Sequence, residues 1–335
     1  MIHRSRVTIR EVAALAGVSH QTVSRVINGS KQVIPETRER VEAVIAELGF
    51  QPNAVARSMA QGRTRTLACF SPNLTDYTFA SIIEGAEIEL RSHGYFLISA
   101  SAPDELAFAT LVEQLVTSQR TEGLLIINPY ADARHTMLPE NAPMVFLGAH
   151  PRAEMVDSVR LDDESAGCMA AQHLIDLGHS RIAMITGPLS EDCAQDRRAG
   201  YRLALAQAGI PYDPELLFEG DWSASSGYLA VQSLMKRGIS ITGLFAQNDR
   251  MAIGAIRALK EAGKQVPEEV SVIGFDDMPL SSFFDPPLTT VRQDTFAMGK
   301  KAADLLVKAV EGTGESRQHL RLPGEIVVRS STARL

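Results

Sequence analysis

Between Ser19 and Asn28 the chain sets His20, Gln21, Ser24 and Arg25 at offsets that share one side of a helix, with Val23 and Val26 on the other. Imidazole, amide, hydroxyl and guanidinium groups gathered on one helix face are the donors and acceptors that read base edges and phosphates in a major groove. An ordinary helical hairpin with a solvated polar face would show the same spacing, so the neighbouring elements have to decide. Thr8 can cap a preceding helix, and Glu11, three positions on, can close a capping box. Val12, Ala13 and Ala16 give that helix a face to bury, and Gly17 supplies a tight turn. Ser19 then caps a second helix expected from His20 to Ile27, which Asn28-Gly29 ends. Pro35 announces a third helix with Val41, Val44, Ile45 and Leu48 inward and a stop at Gly49. Three such helices make a small DNA-binding bundle over 1–49. The following stretch, 50–65, carries too little apolar surface to fold by itself and reads as a hinge that orders when bound.

Charge changes sign at the same place. Through Thr66 the chain has ten Lys and Arg against five Glu, a head of about +5, and the remainder carries −12 within a total of −7. A basic head on an acidic body is the footprint of a nucleic-acid module joined to a domain that stays off DNA. At 335 residues and 45% hydrophobic, two or three compact domains can each have a core. Cys69, Cys168 and Cys193 stand apart with no metal-ligand spacing, as buried thiols do in a reducing compartment. No apolar run approaches the roughly 18 residues needed to cross a bilayer, and charges occupy the N-terminus where a signal peptide needs its apolar core. A cytoplasmic protein with no membrane partner is expected.

From Thr66 onward short apolar strands alternate with helices. Strands are expected at Leu67–Phe70, Tyr95–Ser99, Gly123–Ile127 and Met144–Leu147, with helices over Phe79–His93 and Leu106–Thr117. A second series has helices over Glu164–Leu177, Arg198–Ala208, Ser225–Lys236 and Met251–Ala262. Its strands are Arg181–Ile185, Leu216–Phe218, Gly243–Ala246 and Val270–Phe275. Crossover helices between such strands imply doubly wound parallel sheets covered on both faces, and two series imply two lobes. Ligands of such lobes sit outside the carboxyl ends of the strands. The acid pairs Asp162-Asp163 and Asp276-Asp277 suggest an enzyme acting on a sugar, but neighbours on a strand point to opposite faces and do not flank one bond. No phosphate loop, dinucleotide glycine fingerprint, zinc motif or nucleophile elbow is found, and the expectation is no enzyme.

Six motifs together resemble the LacI/GalR family of bacterial transcription repressors along essentially the whole chain. They are Val18-Ser-His-Gln-Thr-Val-Ser-Arg-Val-Ile-Asn, Thr37-Arg-Glu-Arg-Val, Gln51-Pro-Asn-Ala-Val-Ala-Arg-Ser, His173-Leu-Ile-Asp-Leu-Gly-His, Ile273-Gly-Phe-Asp-Asp and Pro287-Leu-Thr-Thr-Val-Arg-Gln-Asp. The resemblance implies an all-α helix-turn-helix head on an α/β core like the periplasmic binding proteins, with lobes at 66–161 plus 291–321 and 162–290 plus 322–335. It implies crossings near Leu161-Asp162, Thr290-Val291 and Leu322, and an edge strand over Glu325–Arg329 in the second lobe.

It also implies functional residues. Thr8, Ser19, His20, Gln21, Thr22, Ser24, Arg25 and Asn28 match the DNA-facing set. Asn53, Ala56 and Arg57 would support a hinge helix, and Met59 stands where an apolar wedge, most often leucine, enters the minor groove. Arg197 matches an arginine that forks onto ligand oxygens, Trp222 an aromatic that stacks on the ligand, and Asn248 and Asp276 polar contacts at strand ends. Asp76, Tyr77 and Phe79 lie in the loop after the first strand, where ligand-facing residues are common. Beside these stand plainer readings: Asp276 capping a helix, Arg197 paired with Asp196, Trp222 in a core. Gly148 replaces an acid found in some sugar responders, and Thr295 an aromatic that often closes the pocket. Arg197, Arg198 and His150 would favour an anion, so the expected effector is a sugar or a sugar acid, with a purine or a protein partner as alternatives. A homodimer on a palindromic operator is expected; no cofactor or metal is.

Overall fold

The computed structural model describes residues 7–50, 63–127, 134–139, 141–150, 156–314 and 316–335. Two compact units divide between Thr64 and Arg65. The expected hinge residues Asn53, Ala56, Arg57 and Met59 lie outside the described residues.

The head is built from α1 (Ile9–Ala16), α2 (His20–Ile27) and α3 (Pro35–Leu48). Its capping box is formed: the Thr8 amide donates to Glu11 Oε2 at 2.6 Å and the Glu11 amide to Thr8 Oγ1 at 3.4 Å. Gly17 turns the chain at φ 64°, a left-handed conformation that glycine adopts without a Cβ clash. Ser19 Oγ then accepts the Thr22 amide at 3.2 Å to start α2. Val12, Ala13, Ala16, Val23, Val26, Val41 and Phe50 close a small core. Arg38 fastens the exit from α2, donating to the Ser30 carbonyl at 2.6 Å and the Val26 carbonyl at 3.4 Å.

The second unit has two lobes. The first contains β1 (Thr66–Ser71), α4 (Tyr77–Ser92), β2 (Phe96–Ser101), α5 (Glu105–Leu111), β3 (Leu124–Ile127), β4 (Met144–Leu147) and β5 (Asp157–Leu161). The second takes α6 (Asp163–Asp176), β6 (Ile182–Thr186), α7 (Asp192–Gln207), β7 (Leu217–Glu219), α8 (Ala224–Lys236), β8 (Gly243–Ala246), α9 (Asp249–Glu261), β9 (Ser271–Asp276) and β10 (Thr289–Arg292). The chain returns to the first lobe for α10 (Thr295–Glu311) and β11 (His319–Leu322), and ends in the second with β12 (Glu325–Val327) and a tail. The sheet orders are β11-β5-β4-β3-β1-β2 and β12-β10-β9-β8-β6-β7, parallel throughout except for the antiparallel β10–β12 pair. In each sheet the order reverses once, between β1 and β3 and between β6 and β8. A ligand crevice belongs at such reversals.

Three details differ from the sequence expectation. Strand β10 runs to Arg292, so Val291 and Arg292 belong to the second lobe, and Leu322 ends β11 in the first. Strand β5 has no apolar run to announce it, because Asp157 and Arg160 are buried within it; Asp157 is held by Arg317 Nη1 at 3.0 Å and the Gln318 amide at 2.6 Å. Helix α7 begins at Asp192 rather than Arg198, since its polar first turns show no apolar periodicity. Arg197 is therefore inside a helix.

Helices α6 and α7 cross at a pair of glycines. A Cβ on Gly200 would lie 2.0 Å from the Glu164 carbonyl oxygen, and one on Gly167 would lie 2.5 Å from that of Arg197. The pairs Gly85/Gly299 in α4–α10 and Gly227/Gly254 in α8–α9 repeat the arrangement. Interiors packed this closely do not absorb a methyl group. Gly200→Ala is expected to destabilise the core by about 1–3 kcal/mol, seen as a lower urea midpoint of its transition; an unchanged midpoint would show that the crossing has slack.

Candidate functional site

In the head, His20, Gln21 and Arg25 are exposed, Ser24 and Thr22 half-buried, and Val23 and Val26 buried, as a reading face requires. Thr8 and Ser19 act as helix caps, Thr22 Oγ1 lies 3.0 Å from Ser19 Oγ, and the Asn28 amide donates to Ser24 Oγ at 3.4 Å. The face is thus held by its own caps.

In the core, a cleft of about 430 Å³ opens where the two sheet reversals face each other. Its walls come from the loops after β1 (Asn73, Asp76), β6 (Pro188, Glu191), β8 (Asn248) and β9 (Asp276). Arg197 is buried in its base. Its Nε donates to Asp163 Oδ1 at 2.8 Å, its Nη1 to the Gln247 carbonyl at 2.7 Å, and its guanidinium lies 3.6 Å from the Phe275 ring centre. The partner is Asp163 on the neighbouring helix and not Asp196, which instead takes Arg160 Nη1 at 3.1 Å and His150 Nε2 at 2.6 Å. The bases expected to favour an anion, Arg197 and His150, are therefore both committed to carboxylates, and Arg198 does not line the cleft.

Trp222 lines the cleft at φ 67°, a strained backbone for a residue with a side chain. Its ring lies flush on Gly187, where a Cβ would come within 2.0 Å of it. Asn248 caps α9 through the Met251 amide at 2.8 Å and donates to the Trp222 carbonyl at 3.0 Å, so it positions the tryptophan as well as lining the site. Asp276 takes φ 108° and Asp277 φ 55°; with Trp222, three of the five non-glycine residues at positive φ among the described residues belong to this region. Asp276 caps no helix, and its Oδ1 accepts from Gln293 Nε2 at 2.7 Å. Asp277 holds Arg292 at 2.7 Å and Arg329 at 2.6 Å, and Asp249 binds the Met278 amide at 2.8 Å, Ser281 at 2.5 Å and Thr290 at 2.6 Å. Those ties hold the strained loop in place.

Asp76 caps α4 through the Thr78 amide at 2.9 Å and pairs across the cleft with Arg250. Phe79 lines the cleft, but Tyr77 does not, because helical rotation brings 78, 79 and 82 to that side and turns 77 away. At the other flank the His150 amide donates to Asp192 Oδ2 at 2.9 Å, so charged contacts join the lobes on both sides. Glu191, Asp163, Gln247 and Arg250 have no counterpart among the expected residues. The acid pair Asp162-Asp163 was the one available signal, and it was weighed only as a catalytic pair and set aside.

Residues 8–53 match the model of bacterial regulatory proteins of the lacI family, and residues 171–332 match a periplasmic binding protein-like domain. The transcriptional regulator CelR of Thermobifida fusca is 37% identical over 99% of this chain and 100% of its own length. The chain belongs to the lacI family. The transcriptional repressor PurR of Aliivibrio salmonicida is 33% identical across 98% of this lacI-family chain and 99% of its own. A solved CelR–cellobiose complex superposes with a TM-score of 0.76 at 36% identity, covering 97% of this chain and 100% of that one. A lac repressor dimer bound to operator and the anti-inducer ONPF gives 0.89 at 34%, covering 98% and 100%. These lacI-family relatives are transcriptional regulators. Among the described residues no helix is long and apolar enough to cross a membrane, and no group of three His, Cys, Asp or Glu is placed to hold a metal.

Burial pushes the Asp276 carboxyl up to about 8 and lifts that of Glu191 to about 7, in each case against the pull of Arg197. Each group keeps its proton in the folded protein after the unfolded chain, with carboxyls near 3.8 and 4.5, has released it. Stability is therefore expected to fall as pH rises from about 4 to about 8 and to level off above. The double variant Glu191→Gln/Asp276→Asn should flatten the core melting profile across that window; an equally steep profile would refute the assignment. Gly187→Ala should lift the indole off its floor and weaken effector binding by about ten-fold or more, measured by calorimetry. An unchanged affinity would remove Trp222 from the contact surface.

Proposed function

We propose that this chain is a transcriptional repressor that works in the cytoplasm, binding a palindromic operator as a homodimer under the control of a sugar in the core cleft. Two copies would present two α2 helices to half-sites, with His20, Gln21, Ser24 and Arg25 reading bases and phosphates and the hinge around Met59 entering the minor groove. The observation that carries the effector reading is the Trp222 ring set beside Arg197 and Asp276 where the two sheet reversals meet. An aromatic face next to planar and carboxyl hydrogen-bonding groups covers the apolar side of a sugar ring while satisfying its hydroxyls. CelR, solved with cellobiose, supports the choice of a sugar. The charged contacts Asp76–Arg250 and His150–Asp196 join the lobes, so a ligand that favours one lobe arrangement biases the whole core.

Selection of bound sequences from a random DNA pool, with and without cellobiose, tests the reading. An inverted repeat is expected, with binding altered by the sugar. Gln21→Ala should change base preference at one position of each half-site, whereas Arg25→Ala should weaken binding across sequences. Asp276→Ala should abolish the response to ligand and leave operator affinity near its starting value. Loss of DNA binding in Asp276→Ala, or recovery of single unpaired half-sites, would overturn the scheme.

A further inference from the structure

Among the described residues the acids lining the cleft outnumber the bases. Asp76, Asp163, Glu191, Asp221 and Asp276 face a shared space with Arg197 and Arg250. Both guanidiniums are already matched, Arg197 to buried Asp163 at 2.8 Å and Arg250 to Asp76. Asp221 accepts the Ser223 amide at 2.9 Å and the Ser223 hydroxyl at 2.5 Å, which holds its carboxyl below the usual range at the rim. Asp276 accepts from Gln293 Nε2 at 2.7 Å and Glu191 Oε2 has the Cys193 thiol at 4.0 Å, and among the described residues neither forms an ion pair with a cation. Glu191 occupies the N-cap of α7, yet its side chain does not cap the helix; it is 5% exposed and lines the cleft. A buried glutamate spared from its local duty and lining the cleft is placed for the ligand.

We infer that the cleft selects uncharged ligands rich in hydroxyl or N–H donors and rejects their acids and phosphate esters, with Glu191 setting that selection. The inference rests on reading the cleft as the effector site. Ligand hydroxyls can donate to carboxyl oxygens of Glu191 and Asp276, whereas an incoming carboxylate or phosphate meets those same oxygens. Among the described residues each guanidinium lining the cleft already has a carboxylate partner, and separating Arg197 from Asp163 would strand a buried charge. Rejection of the charged analogue thus comes from burying a charge that the walls do not match, not from a lack of space. The raised protonation ranges of Glu191 and Asp276 agree with this, since burial outweighs the pull of Arg197 and leaves them as donors as well as acceptors near neutral pH.

Calorimetry on the full chain with three matched pairs tests the inference: cellobiose and cellobionate, ribose and ribose 5-phosphate, hypoxanthine and inosine monophosphate. At least one neutral member should bind, with its charged partner weaker by about ten-fold or more. In Glu191→Gln, checked by its melting transition, that gap should narrow several-fold while the neutral affinity changes less. A charged member binding as tightly as its neutral partner in the unaltered protein overturns the inference, whatever the variant does. Binding of hypoxanthine with both sugars silent would overturn the sugar reading and support the charge selection. Silence from all six compounds, in protein that still holds its operator, would overturn both.

Discussion

The buried ion pair between Arg197 and Asp163 is the interaction on which the rest of the core depends. A guanidinium in this position is tolerated only with its charge matched and its N–H groups satisfied, and Asp163, the Gln247 carbonyl and the Phe275 face supply those needs from three separate elements. The pair forms because α6 and α7 touch backbone to backbone at Gly167 and Gly200. Gln247 extends the tie: its side chain accepts the Gly187 amide at 2.9 Å and donates to the Ala194 carbonyl at 3.0 Å, locking the loop that floors Trp222 to the helix that carries Arg197. Helix crossing, charge pairing and aromatic placement are one arrangement.

Around that arrangement the fold puts irregular backbone where the chemistry is. Parallel sheets end in loops at their carboxyl edges, and the order reversals leave a gap there that no crossover helix fills. Trp222, Asp276 and Asp277 adopt strained conformations in that gap, held by Asn248, Asp249, Arg292 and Arg329. Strain of this kind persists only where surrounding bonds over-determine it. The scaffold carries the cost and the ligand meets a preformed surface.

What was legible in the sequence follows from the range of the interactions involved. The head was readable almost residue by residue because its caps, turn and inward valines all lie within a few positions of one another, as Thr8 with Glu11 and Ser19 with Thr22 show. Alternating apolar segments likewise gave most strands and helices of the core. Strand β5 escaped because its buried Asp157 is satisfied by Arg317 and Gln318, 160 and 161 positions away, and α7 because its first turns bury an ion pair instead of an apolar stripe. Arg197 itself came from family resemblance, but its neighbour in sequence, Asp196, was the wrong partner; the right one lies 34 residues earlier and meets it only through the glycine crossing. Glu191, Gln247 and Arg250 carried no local mark of their placement.

The last strands have a consequence for how the molecule comes into being. Strand β11 joins the first sheet and β12 the second, and beyond them Ser331 Oγ bridges the Val272 carbonyl at 2.6 Å and the Thr289 amide at 2.8 Å, while the Leu335 amide reaches the Leu177 carbonyl at 3.0 Å. Neither lobe can complete its sheet while these residues remain in the ribosome. The head, by contrast, closes on contacts within its first fifty residues. Synthesis therefore releases a finished reader ahead of an unfinished sensor, and contacts of such long sequence separation form slowly. A nascent chain stalled before β11 and β12 emerge would have a folded DNA-reading unit with no completed lobe to control it.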